Sequence, residues 1–251
     1  EDDEVPEVPD RFKLFLEKAV REAKTHTSWI TPNIEYERSL ASFADAILGD
    51  QAFTEAFQRL QKQVSFYGFL NSLSQVVLKT MAPGVPDYYQ GTELWDFSLV
   101  DPDNRRPVDY DRRAALLRKL MTAHSRGAID LDTLLRRWFD GRIKMFVTWR
   151  SLDVRNRHAE LFRRGGYRRV TSDSANVVAF MRGDDVLVAV PRLVTRLSKP
   201  RTLPVGAVWG EGSLAVSGKW KNAFTGEVIE GEAQPLAGVF ARFPVAILEK
   251  E

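Results

Sequence analysis

Two glycine-marked breaks, Pro83-Gly84 and Gly165-Gly166, divide the chain into stretches with different hydrophobic periods. Ahead of the first break the period is helical. Phe12, Phe15, Leu16, Ala19, Val20 and Ala23 recur at 3, 4, 7 and 8, which predicts one buried helical face, with Asp10 as its cap. Thr31-Pro32 suits the cap and first position of a second helix, with Tyr36, Leu40, Phe43, Ala44 and Ile47 inward and Gly49-Asp50 at its end. A third helix carries Phe53, Phe57, Leu60 and Val64. A fourth carries Phe69, Leu70, Leu73, Val76 and Val77, and Pro83-Gly84 stops it. Residues 1–9 are acidic, hold two prolines and read as a solvated, partly disordered lead-in.

Between the breaks, residues 85–89 read as a short aromatic strand followed by a polar loop. Helices are expected over 111–124, 131–138 and 144–157. Past the second break the period becomes that of strands, at 167–170, 177–181, 186–190, 214–216, 219–224, 227–229 and 240–248. Gly183-Asp184-Asp185 and Thr225-Gly226 suit hairpin corners. The expected organisation is therefore a lead-in over 1–9, an α/β part over 10–163 and an antiparallel β-sandwich over 164–251.

Composition removes several functions. There is no cysteine among the 251 residues, which excludes disulfides, thiolate catalysis and zinc–cysteine sites and fits a cytoplasmic protein. The net charge of +2 argues against nucleic acid as a partner, and paired arginines such as Arg136-Arg137 read as solvated faces. No apolar run reaches the ~18 residues of a membrane span. The acidic start does not resemble a signal peptide. The first residue is not Met, so the chain is expected to be trimmed, processed or part of something longer. The histidines, His26, His124 and His158, lie on different elements and suggest no metal site. No nucleophile elbow, phosphate loop or dinucleotide fingerprint occurs, so no cofactor is expected.

The loop after residues 85–89 is chemically dense. Tyr88, Tyr89, Gln90, Glu93, Trp95, Asp96, Asp101, Asp103, Asn104, Arg105 and Arg106 combine amides, carboxylates, an arginine fork and stacking rings. A sugar offers hydroxyls and flat apolar faces, and these groups match both. The same residues also fit a structural reading, in which a tyrosine packs inward and residues 101–106 form an Asx turn with surface ion pairs.

The stretch Ala82-Pro-Gly-Val-Pro-Asp-Tyr-Tyr-Gln-Gly-Thr-Glu93 resembles the eighth barrel strand of the α-amylase superfamily, through Gly84, Pro86, Tyr89, Gly91 and Glu93. Its continuation to Asp109 is similar to the maltooligosyltrehalose synthase family. So are His26-Thr-Ser-Trp-Ile-Thr-Pro-Asn33, Tyr36-Glu37, Gly165-Gly-Tyr167, Val177-Val-Ala-Phe180, Val188-Ala-Val-Pro-Arg192 and Arg242-Phe-Pro-Val-Ala246. The resemblance implies the C-terminal portion of a (β/α)8 barrel, its last strand with surrounding helices, followed by the β domain. It implies an intramolecular transglucosylase that converts the reducing-end α-1,4 bond of a maltooligosaccharide into the α,α-1,1 bond of trehalose, with retaining chemistry and exclusion of water.

The resemblance also implies that the nucleophile, the acid/base and a third carboxylate sit on strands outside this chain, so no catalytic residue is assigned within it. What remains is substrate binding. Arg105 aligns with an arginine bordering the acceptor subsites, and Asp103, Tyr89, Glu93, Gln90, Asp96 and Arg106 are the further candidates. The implied partners are the upstream barrel region and a trehalose-releasing hydrolase. The alternatives are a carbohydrate-binding or scaffolding fragment with no activity of its own, and another α-amylase-superfamily glycosidase.

Overall fold

The computed structural model describes residues 8–101 and 103–251. Residues 1–7 of the expected lead-in lie outside that range, whereas Val8 and Pro9 already belong to the first helix. The chain divides into two compact units. One is Glu1–Gln63 with Asp96–Val108, and the other is Val64–Trp95 with Asp109–Glu251. Among the described residues no helix is long and apolar enough to cross a membrane.

The first unit contains α1 (Val8–Ala23), α2 (Ile34–Gly49) and the opening residues of α3 (Gln51–Met81). Asp10 lies in the first turn of α1, where a carboxylate meets the positive end of the helix dipole. The cap of α2 is Asn33, not Thr31: its side chain accepts from Tyr36 N. Thr31 is used otherwise, since its own N–H donates to Ser28 Oγ. The α1–α2 loop closes on Glu37. Arg21 donates to it through two nitrogens, at 2.8 and 2.7 Å, and Thr27 Oγ1 adds a third bond at 2.5 Å. The helices expected over Phe53–Val64 and Phe69–Val77 are one helix, α3. No proline interrupts this stretch, and Gly68 is tolerated inside it.

The second unit holds the remainder of α3, then α4 (Tyr110–Ser125), α5 (Leu131–Arg136), α6 (Arg142–Arg157) and α7 (Ala159–Arg164). Its main sheet is built from β1 (Tyr167–Arg169), β2 (Val177–Arg182), β3 (Val186–Pro191), β5 (Gly218–Asn222), β6 (Val228–Gly231) and β8 (Ala246–Lys250), in the order β1-β2-β3-β8-β5-β6. Every pairing is antiparallel. The β2–β3 hairpin turns through Gly183-Asp184-Asp185, and Gly183 takes the left-handed φ of 51° that the tight corner requires. A second, two-stranded sheet joins β4 (Ser213–Leu214) to β7 (Gln234–Pro235), beside the short α8 (Leu236–Val239). The sandwich partner is thus much smaller than the main sheet. The helices cover the other face.

Alternation along β3 shows why both faces are buried. Val186, Val188 and Val190 join Ile247 and Phe180 in a core with Phe69, Leu73 and Val77 of α3 and with Phe146 and Val154 of α6. Leu187 and Ala189 point the opposite way, into a core with Trp209, Leu214, Trp220, Leu236 and Phe240. Period-2 side chains force this division, and a strand buried on both sides reads as a continuous apolar run. The change of grammar at Gly165-Gly166 falls inside this unit, because helices and sheet share one core.

Residues 85–89 form no strand. They have no ladder partner among the described residues, and Val85 is exposed. A barrel strand requires neighbours on both edges, and here the segment folds back on the end of α3. Tyr88 hydrogen-bonds Thr80 Oγ1 and carries the Lys79 ammonium 4.0 Å above its ring.

The Glu37 clamp gives a pH signature. Arg21 first, then Thr27, hold the carboxyl down from 4.5 to about 2. A depressed folded-state value means that its contribution to stability is fully present above about 4.5 and is lost as pH falls toward 2. The unfolding midpoint of Glu37→Gln should lie below that of the parent at pH 6, and the gap should close as pH drops to about 2. A gap independent of pH contradicts the clamp.

Candidate functional site

The stretch that carries the polar loop begins where α3 ends, and two arginines fix that point. The last carbonyls of a helix have no partner within it. Arg155 of α6 donates to Thr80 O at 2.5 Å, to Ala82 O at 3.4 Å and to Gly84 O. Arg182 of β2 donates to Met81 O at 3.2 Å. Farther along, Lys144 Nζ donates to Leu94 O at 3.1 Å and Trp95 Nε1 to Trp138 O at 2.5 Å. Gly141, at φ 79°, lets the start of α6 approach closely, since a Cβ there would meet Trp95 N at 3.0 Å. Residues 82–95 are therefore held irregular but fixed.

The sequence candidates fall in both units. In the second unit, Tyr89 and Gln90 are exposed. The Tyr89 carbonyl accepts from Thr92 N and Oγ1, so its ring is left to solvent. Glu93 meets Arg113 Nε at 3.1 Å, and the same guanidinium donates to Gly91 O at 2.9 Å. Glu93 thereby ties its turn to α4.

In the first unit, Asp103 is the hub. Arg11 of α1 donates to its two oxygens at 2.9 and 2.7 Å, Leu99 N donates at 2.6 Å, and Arg106 Nε lies 2.9 Å away. These bonds, that of Arg11 above all, hold the Asp103 carboxyl below its ordinary value despite partial burial. Lys18 of α1 donates to Asp101 O at 2.6 Å and to Oδ2 at 3.1 Å. Asp96 accepts from Ser98 N and Oγ. Arg106 donates to Asp103 O and to Ser98 Oγ. Arg105 pairs with Asp101 but keeps 70% of its side chain exposed.

Asp101, Asp103, Arg105 and Arg106 thus form one ion-paired turn, while Tyr89, Gln90 and Glu93 belong to another. The carboxylates are occupied acceptors; the exposed chemistry is donor and stacking chemistry, from the outward part of the Arg105 guanidinium, Gln90 and Tyr89. Arg11 and Lys18 escaped sequence reading because they stand 92 and 83 positions from their partners, and no local pattern encodes such pairs. Among the described residues no three His, Asp or Glu side chains converge to hold a metal ion.

The Asp103 hub is open to test. Replacement by asparagine leaves Arg11 and Arg106 facing a neutral amide, at a cost of about 1.5–3 kcal/mol for charged hydrogen bonds. Trypsin should cut after Arg105 at least about tenfold faster in Asp103→Asn than in the parent. Equal rates contradict the hub.

No protein-family model matches the chain. Two Mycobacterium tuberculosis proteins, from strains H37Rv and CDC 1551, that carry the name maltooligosyl trehalose synthase are 36% identical to it over 245 residues. That alignment takes in 96% of this chain and 28% of theirs, so the chain spans less than a third of the curated relatives it matches. Among solved structures, the maltooligosyltrehalose synthase of Arthrobacter ramosus superposes with a TM-score of 0.79 at 31% identity, covering 98% of this chain and 31% of that one. Another maltooligosyl trehalose synthase crystal structure gives 0.77 at 30% identity, covering 97% and 30%. Sequence and fold together match this chain, along nearly its whole length, to the C-terminal part of maltooligosyltrehalose synthases.

Proposed function

We propose that the chain supplies the C-terminal part of an enzyme that converts the reducing-end α-1,4 bond of a maltooligosaccharide into an α,α-1,1 bond. The observation that carries this reading is the match itself, 36% identity over 96% of the chain. The state of the loop carboxylates supports it. A glycosidic pair needs one free nucleophile and one acid, whereas Asp103, Asp101 and Glu93 are each engaged by a basic side chain. The chain's part is then to bind and to shape. Within the first unit Arg105 is a donor for substrate, with Asp103, Asp96 and Arg106 holding its turn; within the second unit Tyr89 and Gln90 offer a ring and an amide, with Glu93 holding theirs. The bond-breaking carboxylates belong to the upstream barrel region. On this reading the product passes to a trehalose-releasing hydrolase, and both work in the cytoplasm.

The test grafts this chain in place of the corresponding part of the Arthrobacter ramosus enzyme and follows maltopentaose by proton NMR. The folded graft should produce the α,α-1,1 anomeric signal and the isolated chain should produce none. Arg105→Ala in the graft should raise KM several-fold, by about 1 kcal/mol or more. A folded but inactive graft, or activity from the isolated chain, overturns the proposal.

A further inference from the structure

The second unit also contains a cavity of about 670 Å³, lined by no residue of the 85–108 stretch, within the usual range for small-molecule pockets. Ile129, Leu131 and Phe224 give it an apolar wall. Its charged lining is lopsided: Arg150, Arg157, Lys221 and Arg242 line it, against Glu249 and Glu251, while Lys250 alternates to the other face of β8. Both carboxylates are already engaged. Glu249 takes two bonds from Arg157 and one from His158, and Glu251 pairs with Lys219 at 2.9 Å. Asp153, behind the wall, serves Arg150 at 2.7 Å and Arg157 at 3.1 Å.

Arg150 is the fixed element. It is only 8% exposed. Its Nε and Nη2 donate to Ala223 O at 3.1 and 3.0 Å, and Nη1 donates to Asp153. Those bonds use three of the five N–H groups of a guanidinium and lock its plane. Lys221 and Arg242 make no side-chain hydrogen bond or short ion pair with another described residue, although Lys221 faces Glu249 across the β5–β8 ladder and lies near Glu251. A preset guanidinium, two cations without a hydrogen-bonded partner and an apolar wall form a receptor for a compact dianion with several acceptor oxygens.

We infer that this cavity binds a phosphate group, as the free ion or as the phosphomonoester of a small molecule. The inference is independent of the carbohydrate reading, so either can fail alone. His124 lines the same cavity, with its ring 5.3 Å from that of Trp149. Burial first, then Arg150, hold its pKa below the usual histidine value. A bound dianion stabilises the imidazolium against the repulsion of Arg150 and raises it.

The experiment titrates the His124 ring protons of the full chain by NMR, with inorganic phosphate in one arm and phenyl phosphate in the other. Saturable binding with Kd below about 1 mM at low salt is expected in at least one arm, with an upward move of the His124 pKa. The double variant Lys221→Glu, Arg242→Glu should weaken binding at least about tenfold, while Arg168→Glu, on β1, should not. Phenyl phosphate binding about tenfold more tightly than inorganic phosphate assigns a phosphomonoester, which uses the apolar wall, and equal affinity assigns the free ion. No pKa change in either arm up to about 10 mM, or undiminished binding by the double variant, overturns the inference.

Discussion

The end of α3 is where the structure is most constrained, and two arginines meet the constraint. Arg182 is 2% exposed and pairs with no carboxylate among the described residues. It donates instead to Met81 O, Leu161 O, Phe162 O and Gly165 O, and its guanidinium stacks 4.8 Å from the Phe162 ring. Burial, and then the nearby Arg155, lower its pKa. The negative ends of α3 and α7, together with an aromatic face, offset that cost. Arg155 completes the cap from α6. One strand and three helices, β2 with α3, α6 and α7, are thereby joined at the point where the chain enters the polar stretch.

The sheet makes this junction rigid. β3 lies in the middle of the order β1-β2-β3-β8-β5-β6 and is buried along its entire length. One of its faces belongs to the helical core and the other to the small β layer. A residue of α6 such as Phe146, whose ring lies about 6 Å from those of Phe224 and Phe243, therefore contacts the β region as directly as it contacts other helices. Residues 82–95 inherit their position from this shared core.

Much of this was legible in the residues. Strand periods located β2 and β3 almost to the residue, because an apolar run bounded by Gly183 and proline has few alternatives. Helical spacing located α1, α4 and α6 for the same reason. The break drawn inside α3 failed because its apolar stripe passes from exposed (Phe53, Phe57, Leu60, Val64) to buried (Phe66 onward), and such a change looks like an end when only apolar positions are counted. The expected strand over 85–89 failed because its residues carry β propensity while the hydrogen bonds that make a strand come from neighbours. At the candidate site the residue types were legible and their states were not. Asp103 and Arg105 look alike as polar loop residues, yet one is saturated and the other exposed, and the difference is made by Arg11, 92 positions away.

The central claim is that helices and sheet of the second unit form one cooperative core that fixes residues 82–95. Native-state hydrogen exchange of the full chain tests it most directly. Amides of β3, of α6 near Phe146 and of the last turn of α3 should exchange through one common opening, with free energies within about 1 kcal/mol of each other. Exchange of α6 or the α3 end several kcal/mol below β3 would contradict it.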